Sequence, residues 1–113
     1  MASQKKVSFI GSGRMAEAII AGIVKKKIFS ANRIYIADKD TEKAKILARK
    51  FKVNFCEDNN KALWSGNIIV LAVKPQNMVQ VLEQIKEEIK ASQLVISIAA
   101  GVTIGFLEKA LKG

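Results

Sequence analysis

Two glycines and an alanine, set in the run Gly11-Ser12-Gly13-Arg14-Met15-Ala16, are the residues whose type and spacing most directly imply chemistry. Glycine in the first place allows a tight turn with unusual backbone angles. Glycine in the third leaves no side chain in the path of a phosphate, and alanine in the sixth lets a helix lie close on its neighbour. If a helix starts here, its first N–H groups lack partners within it and stand at the positive end of its dipole, an arrangement suited to a diphosphate. The guanidinium of Arg14 would add charge. Alone, G-x-G-x-x-A is a weak signal shared with ordinary glycine turns, and its meaning depends on what flanks it.

The flanking elements are legible from periodicity. Residues 7–10 are an apolar run that stops at Gly11, the mark of a first strand. From residue 14 to about 27, Met15, Ile19, Ile20, Ile23 and Val24 fall at helical intervals, with Glu17 and residues 25–27 left to solvent. Residues 33–37 form a second strand, and Ala44, Leu47, Ala48 and Phe51 line a second helix that Asp40 or Thr41 caps. A short third strand is expected at 53–56 and a brief helix at 61–64. The continuous apolar run 68–73 fits a strand covered on both faces, ended by Pro75. Met78, Leu82, Ile85 and Ile89 repeat along the next helix, residues 94–98 make a fifth strand, and a last helix starts near Thr103. No hairpin signal joins successive strands. The expectation is an α/β, Rossmann-type, doubly wound parallel sheet of about five strands in the order 3-2-1-4-5, with helices on both faces.

In this context the glycine turn follows a strand and opens a helix, and an acidic residue, Asp38, ends the second strand 22 residues past Ala16. That is the pattern of a dinucleotide site. A carboxylate at Asp38 would accept hydrogen bonds from the adenosine ribose and repel a 2′-phosphate, which favours NAD over NADP. The adjacent Lys39 would instead attract that phosphate. A structural alternative has Asp38 only starting the turn toward the Asp40-Thr41 cap.

Composition narrows the classes. The chain has 113 residues, the size of one domain. Its longest apolar run, 68–73, is far short of the roughly 20 residues of a membrane span, so no membrane partner is expected. Nothing at the N-terminus resembles a secretory signal, and a cytoplasmic location is expected. The single cysteine, Cys56, has no partner for an internal disulfide. With no histidine, a zinc site or a histidine-based triad is excluded within the chain, and no metal site is expected. Lys and Arg number 19 against 10 Asp and Glu, for a net charge of +9. The excess is mostly lysine spread over helical faces, as at Lys43, Lys45 and Lys50, without interleaved aromatics, so no nucleic-acid partner is expected.

Three further segments sharpen the reading: residues 58–63 before the fourth strand, Leu71-Ala72-Val73-Lys74-Pro75-Gln76 at its end, and residues 97–103 after the fifth. With residues 9–19 they resemble pyrroline-5-carboxylate reductase, in order and spacing, from about residue 5 to 111. The Ala-Val-Lys-Pro and Ala-Ala-Gly-Val elements are more specific than the glycine turn. The resemblance implies reduction of a small-molecule imine, 1-pyrroline-5-carboxylate, to L-proline with NADH or NADPH. It implies that Gly11, Ser12, Gly13, Arg14, Met15 and Ala16 hold the pyrophosphate and that Asn60 reaches the adenosine. Ala72, Val73, Lys74 and Pro75, with Ala99, Ala100 and Gly101, would border the nicotinamide side. All lie where ligands of open α/β sheets bind.

Each residue also has a plainer reading. Lys74 would be a surface lysine at a strand end, Asn60 the cap of the short helix, and Met15 part of the core. The resemblance further implies an all-helical C-terminal domain that dimerises and binds substrate, and residues 1–113 contain no counterpart to it. The expectation is a single NAD(P)-binding domain over residues 1–113, inactive alone, with no catalytic proton donor identified. Ile104, Phe106, Leu107 and Leu111 would be left uncovered, and a homo-oligomer would bury them. Two alternatives remain open: the cofactor domain of a hydroxyacid or 6-phosphogluconate-type dehydrogenase, or a non-catalytic nucleotide-binding or interaction protein.

Overall fold

The register of the first strand decides where the loops emerge. In a computed structural model, which describes residues 5–97, β1 (Val7–Ile10) pairs in parallel with β2 (Ile34–Ala37) on one side and with β4 (Ile68–Leu71) on the other. Ile10 lies opposite both Ala37 and Leu71, so all three strands end level. The loops that follow them therefore leave the sheet side by side. Outside these, β3 (Asn54–Phe55) pairs with β2 and β5 (Leu94–Ser97) with β4, giving the parallel order 3-2-1-4-5 that the alternating pattern predicts.

Strand alternation sends side chains to two apolar layers. Val7 and Phe9 join Ile34, Ile36 and Val70 beneath α1 (Arg14–Lys25) and α2 (Thr41–Phe51). Ile10, Ile69 and Leu71 pack with Leu63, Met78, Leu82 and Ile85 of α3 (Asn59–Ser65) and α4 (Pro75–Ile85) on the opposite face. Ser8 also points to that face, where its hydroxyl donates to the Ala62 carbonyl at 2.5 Å, which satisfies a polar group with no exposure to water. Ala16 is fully buried, so α1 lies against the sheet with room for a methyl group and no more. At the start of α2 the Asp40 carboxylate accepts from the Lys43 N–H, a cap worth about 1 kcal/mol. A 3-10 turn, Ala31–Arg33, leads into β2.

Several boundaries differ from the sequence expectation. The fourth strand ends at Leu71 and not at 73: the Ala72 N–H still donates to the Ile10 carbonyl at 2.7 Å, and the ladder with β1 stops where that strand gives way to Gly11. Pro75 does not stop that strand. It occupies the first turn of α4, where its missing N–H would be unbonded in any case. The helix ends at Ile85, and Ile89 reaches the same apolar layer from the turn beyond. At the sheet edge β3 keeps only two residues, and α1 ends at Lys25. Met15 is a correction: it is 57% exposed, while Ala16 and Ile20 are the fully buried residues of its helix. Ala99, Ala100, Gly101 and the last helix lie outside the described residues.

Candidate functional site

The two glycines of the first loop do different work. Gly11 has a φ of +109°, its N–H donates to the Ala37 carbonyl at 2.8 Å, and a Cβ on it would run into the Ala72 carbonyl. The meeting of three loops requires that residue. Gly13 has an ordinary φ of −78°, and a Cβ on it would meet nothing within 4 Å. The chain's own packing does not require a glycine at position 13, and the space beside it lies open to an occupant.

The hydrogen bonds of the loop show what that space offers. The N–H of Gly11 is taken by Ala37 and that of Ser12 by Asp38, whereas the N–H groups of Gly13, Arg14, Met15 and Ala16 have no acceptor among the described residues. Four donors thus stand at the start of a 12-residue helix with no acidic side chain capping them. They match an anion at the positive end of the helix dipole.

A cleft of about 410 Å³ opens over this helix start. Gly11, Ser12, Gly13, Asp38, Ala72, Val73 and Lys74 all line it, which brings together seven of the residues singled out by sequence. Arg14 is exposed and Ala16 is buried beneath the loop; neither lines the cleft, nor do Met15 and Pro75. Asn60 is not the helix cap: α3 starts at Asn59, and Asp58 caps it by accepting from the Lys61 N–H at 2.9 Å. The Asn60 Oδ1 is instead buried without a hydrogen-bond partner, the only such side-chain atom among the described residues.

Asp38 is held from both sides. Its Oδ2 accepts from the N–H and the hydroxyl of Ser12, at 2.8 and 2.6 Å, and its Oδ1 accepts from the Asp40 N–H at 2.9 Å. The turn toward the α2 cap foreseen from sequence is therefore present, together with a tie to the glycine loop that sequence did not foresee.

One wall of the cleft escaped the sequence reading. Asn77, Gln80 and Gln84 project from α4, joined by Asn59 of α3, whose Nδ2 donates to the Gln84 Oε1 at 3.2 Å. Their spacing of three and four residues, offset from Met78, Leu82 and Ile85, is the polar stripe of the same helix and could have been read as a second face. Lys43 lines the cleft as well. Cys56 does not. Burial pushes its thiol above the ordinary range, the negative charge of Asp58 adds to that, and Lys61 opposes it, so the group is a neutral thiol near pH 7. Among the described residues no helix is long and apolar enough to cross a membrane.

The profile of the family described as NADP oxidoreductase, coenzyme F420-dependent, matches residues 6–101. Pyrroline-5-carboxylate reductase of Methanosarcina acetivorans is 38% identical over 107 residues, covering 95% of this chain and 40% of that protein. The structure of a pyrroline-5-carboxylate reductase from Coxiella burnetii superposes with a TM-score of 0.89 at 33% identity, over 96% of this chain and 40% of that one. Plasmodium falciparum pyrroline carboxylate reductase with NADP bound gives a TM-score of 0.80 at 30% identity, over 98% and 39%. The chain thus spans about two-fifths of the length of the relatives it matches.

Proposed function

The chain belongs to the family described as NADP oxidoreductase, coenzyme F420-dependent, and from that premise we propose that it is the NAD(P)H-holding part of a cytoplasmic enzyme that reduces 1-pyrroline-5-carboxylate to proline. The observation that carries the coenzyme reading is the open position beside Gly13, above four unused N–H donors. A pyrophosphate accounts for both: it needs the donors and would be blocked by a side chain at residue 13. The substrate is read from the relatives' names together with identity of 30–38% over nearly the whole chain.

Bound in the cleft, a reduced nicotinamide coenzyme supplies hydride. The chain's own part is to bind and orient. The first turn of α1 takes the diphosphate, the Ala72–Lys74 loop forms the facing wall, and the loop after β2 meets the adenosine end. Imine reduction also needs a proton at nitrogen. The described part of the cleft offers carboxylates, lysines and amides, and none is assigned that role. From sequence, Asp38 favours NAD(H). Ser12 fills the Oδ2 of that carboxylate, and the Oδ1, which accepts only from the Asp40 N–H, keeps a lone pair for a ribose hydroxyl.

Calorimetric titration with NADH and NADPH tests the coenzyme reading. One site per chain is expected, and Gly13→Val should weaken it by more than about tenfold, because the new side chain fills the diphosphate's approach. Equal affinity in the variant, or no binding by the wild type, would rule out the assignment of this loop.

A further inference from the structure

Resting on the coenzyme reading above, we propose that Asn59 and Gln84 form a base-reading pair, whose one acceptor and one donor select a 6-aminopurine at the adenosine end of the coenzyme and reject a 6-oxopurine. The two amides line the same cleft as the loop after β2, on the side supplied by α3 and α4. Diphosphate binding at Gly13 makes no use of them.

That side of the cleft is built without charge. From α4, Asn77, Gln80, Val81 and Gln84 reach it at intervals of three and four residues. Every polar side chain among them is an amide. The one charged residue of the helix, Glu83, lies off the cleft and pairs with Lys86 at 3.2 Å. Val81 is buried, and Ile10 and Val73 line the cleft as well, so apolar groups stand among the amides. Apolar surface bordered by neutral donors and acceptors suits the face and the edge of a flat heterocycle. A phosphate gains more from the free N–H groups at the start of α1.

The pair itself has a defined sense. The Asn59 Nδ2 donates to the Gln84 Oε1 at 3.2 Å, which uses one N–H of Asn59 and turns the Gln84 carbonyl toward α3. The Asn59 Oδ1 is left to accept and the Gln84 Nε2 to donate. Among the described residues neither atom has a further partner. Adenine offers the complement on one edge, where its 6-amino group donates and the neighbouring N7 accepts. A purine with oxygen at that carbon presents two acceptors on the same edge. Its O6 would meet the Asn59 oxygen, acceptor against acceptor, and one member of the pair would stay unpaired.

The test is equilibrium binding of NADH and of reduced nicotinamide hypoxanthine dinucleotide, which carries oxygen in place of the 6-amino group, followed by nicotinamide fluorescence on the full chain and on its Gln84→Met and Asn59→Ala variants. The wild type is expected to bind NADH at least about fivefold tighter, the low end for a hydrogen-bonding group left facing a like one. Gln84→Met keeps the length of the side chain and removes the amide. There the two affinities should come within about twofold of each other through weaker NADH binding, while the hypoxanthine coenzyme holds its wild-type affinity and so reports an intact cleft. Asn59→Ala should close the gap in the same way. Gln76→Met, which removes an amide of the same helix outside the cleft, should leave the ratio alone. Equal binding of the two coenzymes by the wild type, or an NADH advantage that survives either cleft substitution, overturns the base-reading pair and leaves the diphosphate reading standing. Failure of both coenzymes to bind the wild type overturns the two together.

Discussion

Ser12 and Asp38 are joined twice through one atom: the backbone N–H and the hydroxyl of Ser12 both donate to the Oδ2 of Asp38, at 2.8 and 2.6 Å. The contact spans 26 residues of sequence and ties the glycine loop after β1 to the loop after β2. Since the same carboxylate holds the Asp40 N–H, a single side chain bonds to the residues that lead into both α1 and α2. The first prediction follows from that geometry. Ser12→Ala keeps the backbone bond and removes the hydroxyl bond to a charged, part-buried acceptor, so it should lower stability by about 1–2 kcal/mol. A urea denaturation midpoint reads this directly, and an unchanged midpoint would show the tie to be incidental.

Gly11 and Gly13 should separate under the same substitution. Gly11→Ala forces an L-residue to a φ of +109° and drives its methyl group into the Ala72 backbone, so the loss should be about 2–4 kcal/mol. Gly13→Ala meets open space at an ordinary φ, and its cost should stay below about 1 kcal/mol. Thermal unfolding of the two variants checks the pair. Similar losses would mean that Gly13, too, serves the fold, and the case for an occupant beside it would collapse.

These two glycines also show how far the sequence carries. Spacing alone marks the turn, the helix start and the close packing of Ala16, because each is a local demand on residue type. Strand order is legible for a related reason: apolar runs separated by helical stripes leave few ways to build a parallel sheet. What sequence misses depends on distant partners. Met15 has the right interval for the core, but it sits on the open first turn of α1 and meets no neighbouring layer. Pro75 reads as a strand stop, whereas β4 ends four residues earlier, where β1 turns away. Asp38 reads either as a ribose acceptor or as the start of the turn toward Asp40, and only the fold brings Ser12 onto it. The amide wall of Asn77, Gln80 and Gln84 was visible as a polar stripe. Its meaning required knowing that the stripe faces the cleft and not open solvent.

Cys56 gives a pH dependence whose sign is fixed by its surroundings. The residue is 8% exposed, and burial, then the charge of Asp58, raise its thiol above the ordinary range against the opposing pull of Lys61. The folded state therefore holds the thiol proton at pH values where the unfolded chain has begun to release it. Between the two pKa values the unfolded state binds fewer protons, so stability falls as pH rises. The stabilisation is fully present below the unfolded thiol's range, near pH 8.5, and declines above it at up to about 1.4 kcal/mol per pH unit until the folded thiol also ionises. The difference between wild type and Cys56→Ala isolates the thiol. It should be constant from pH 6 to about 8 and should shrink between about pH 8.5 and 10. A difference that stays level across that alkaline range would show the thiol to titrate no higher in the fold than in the open chain.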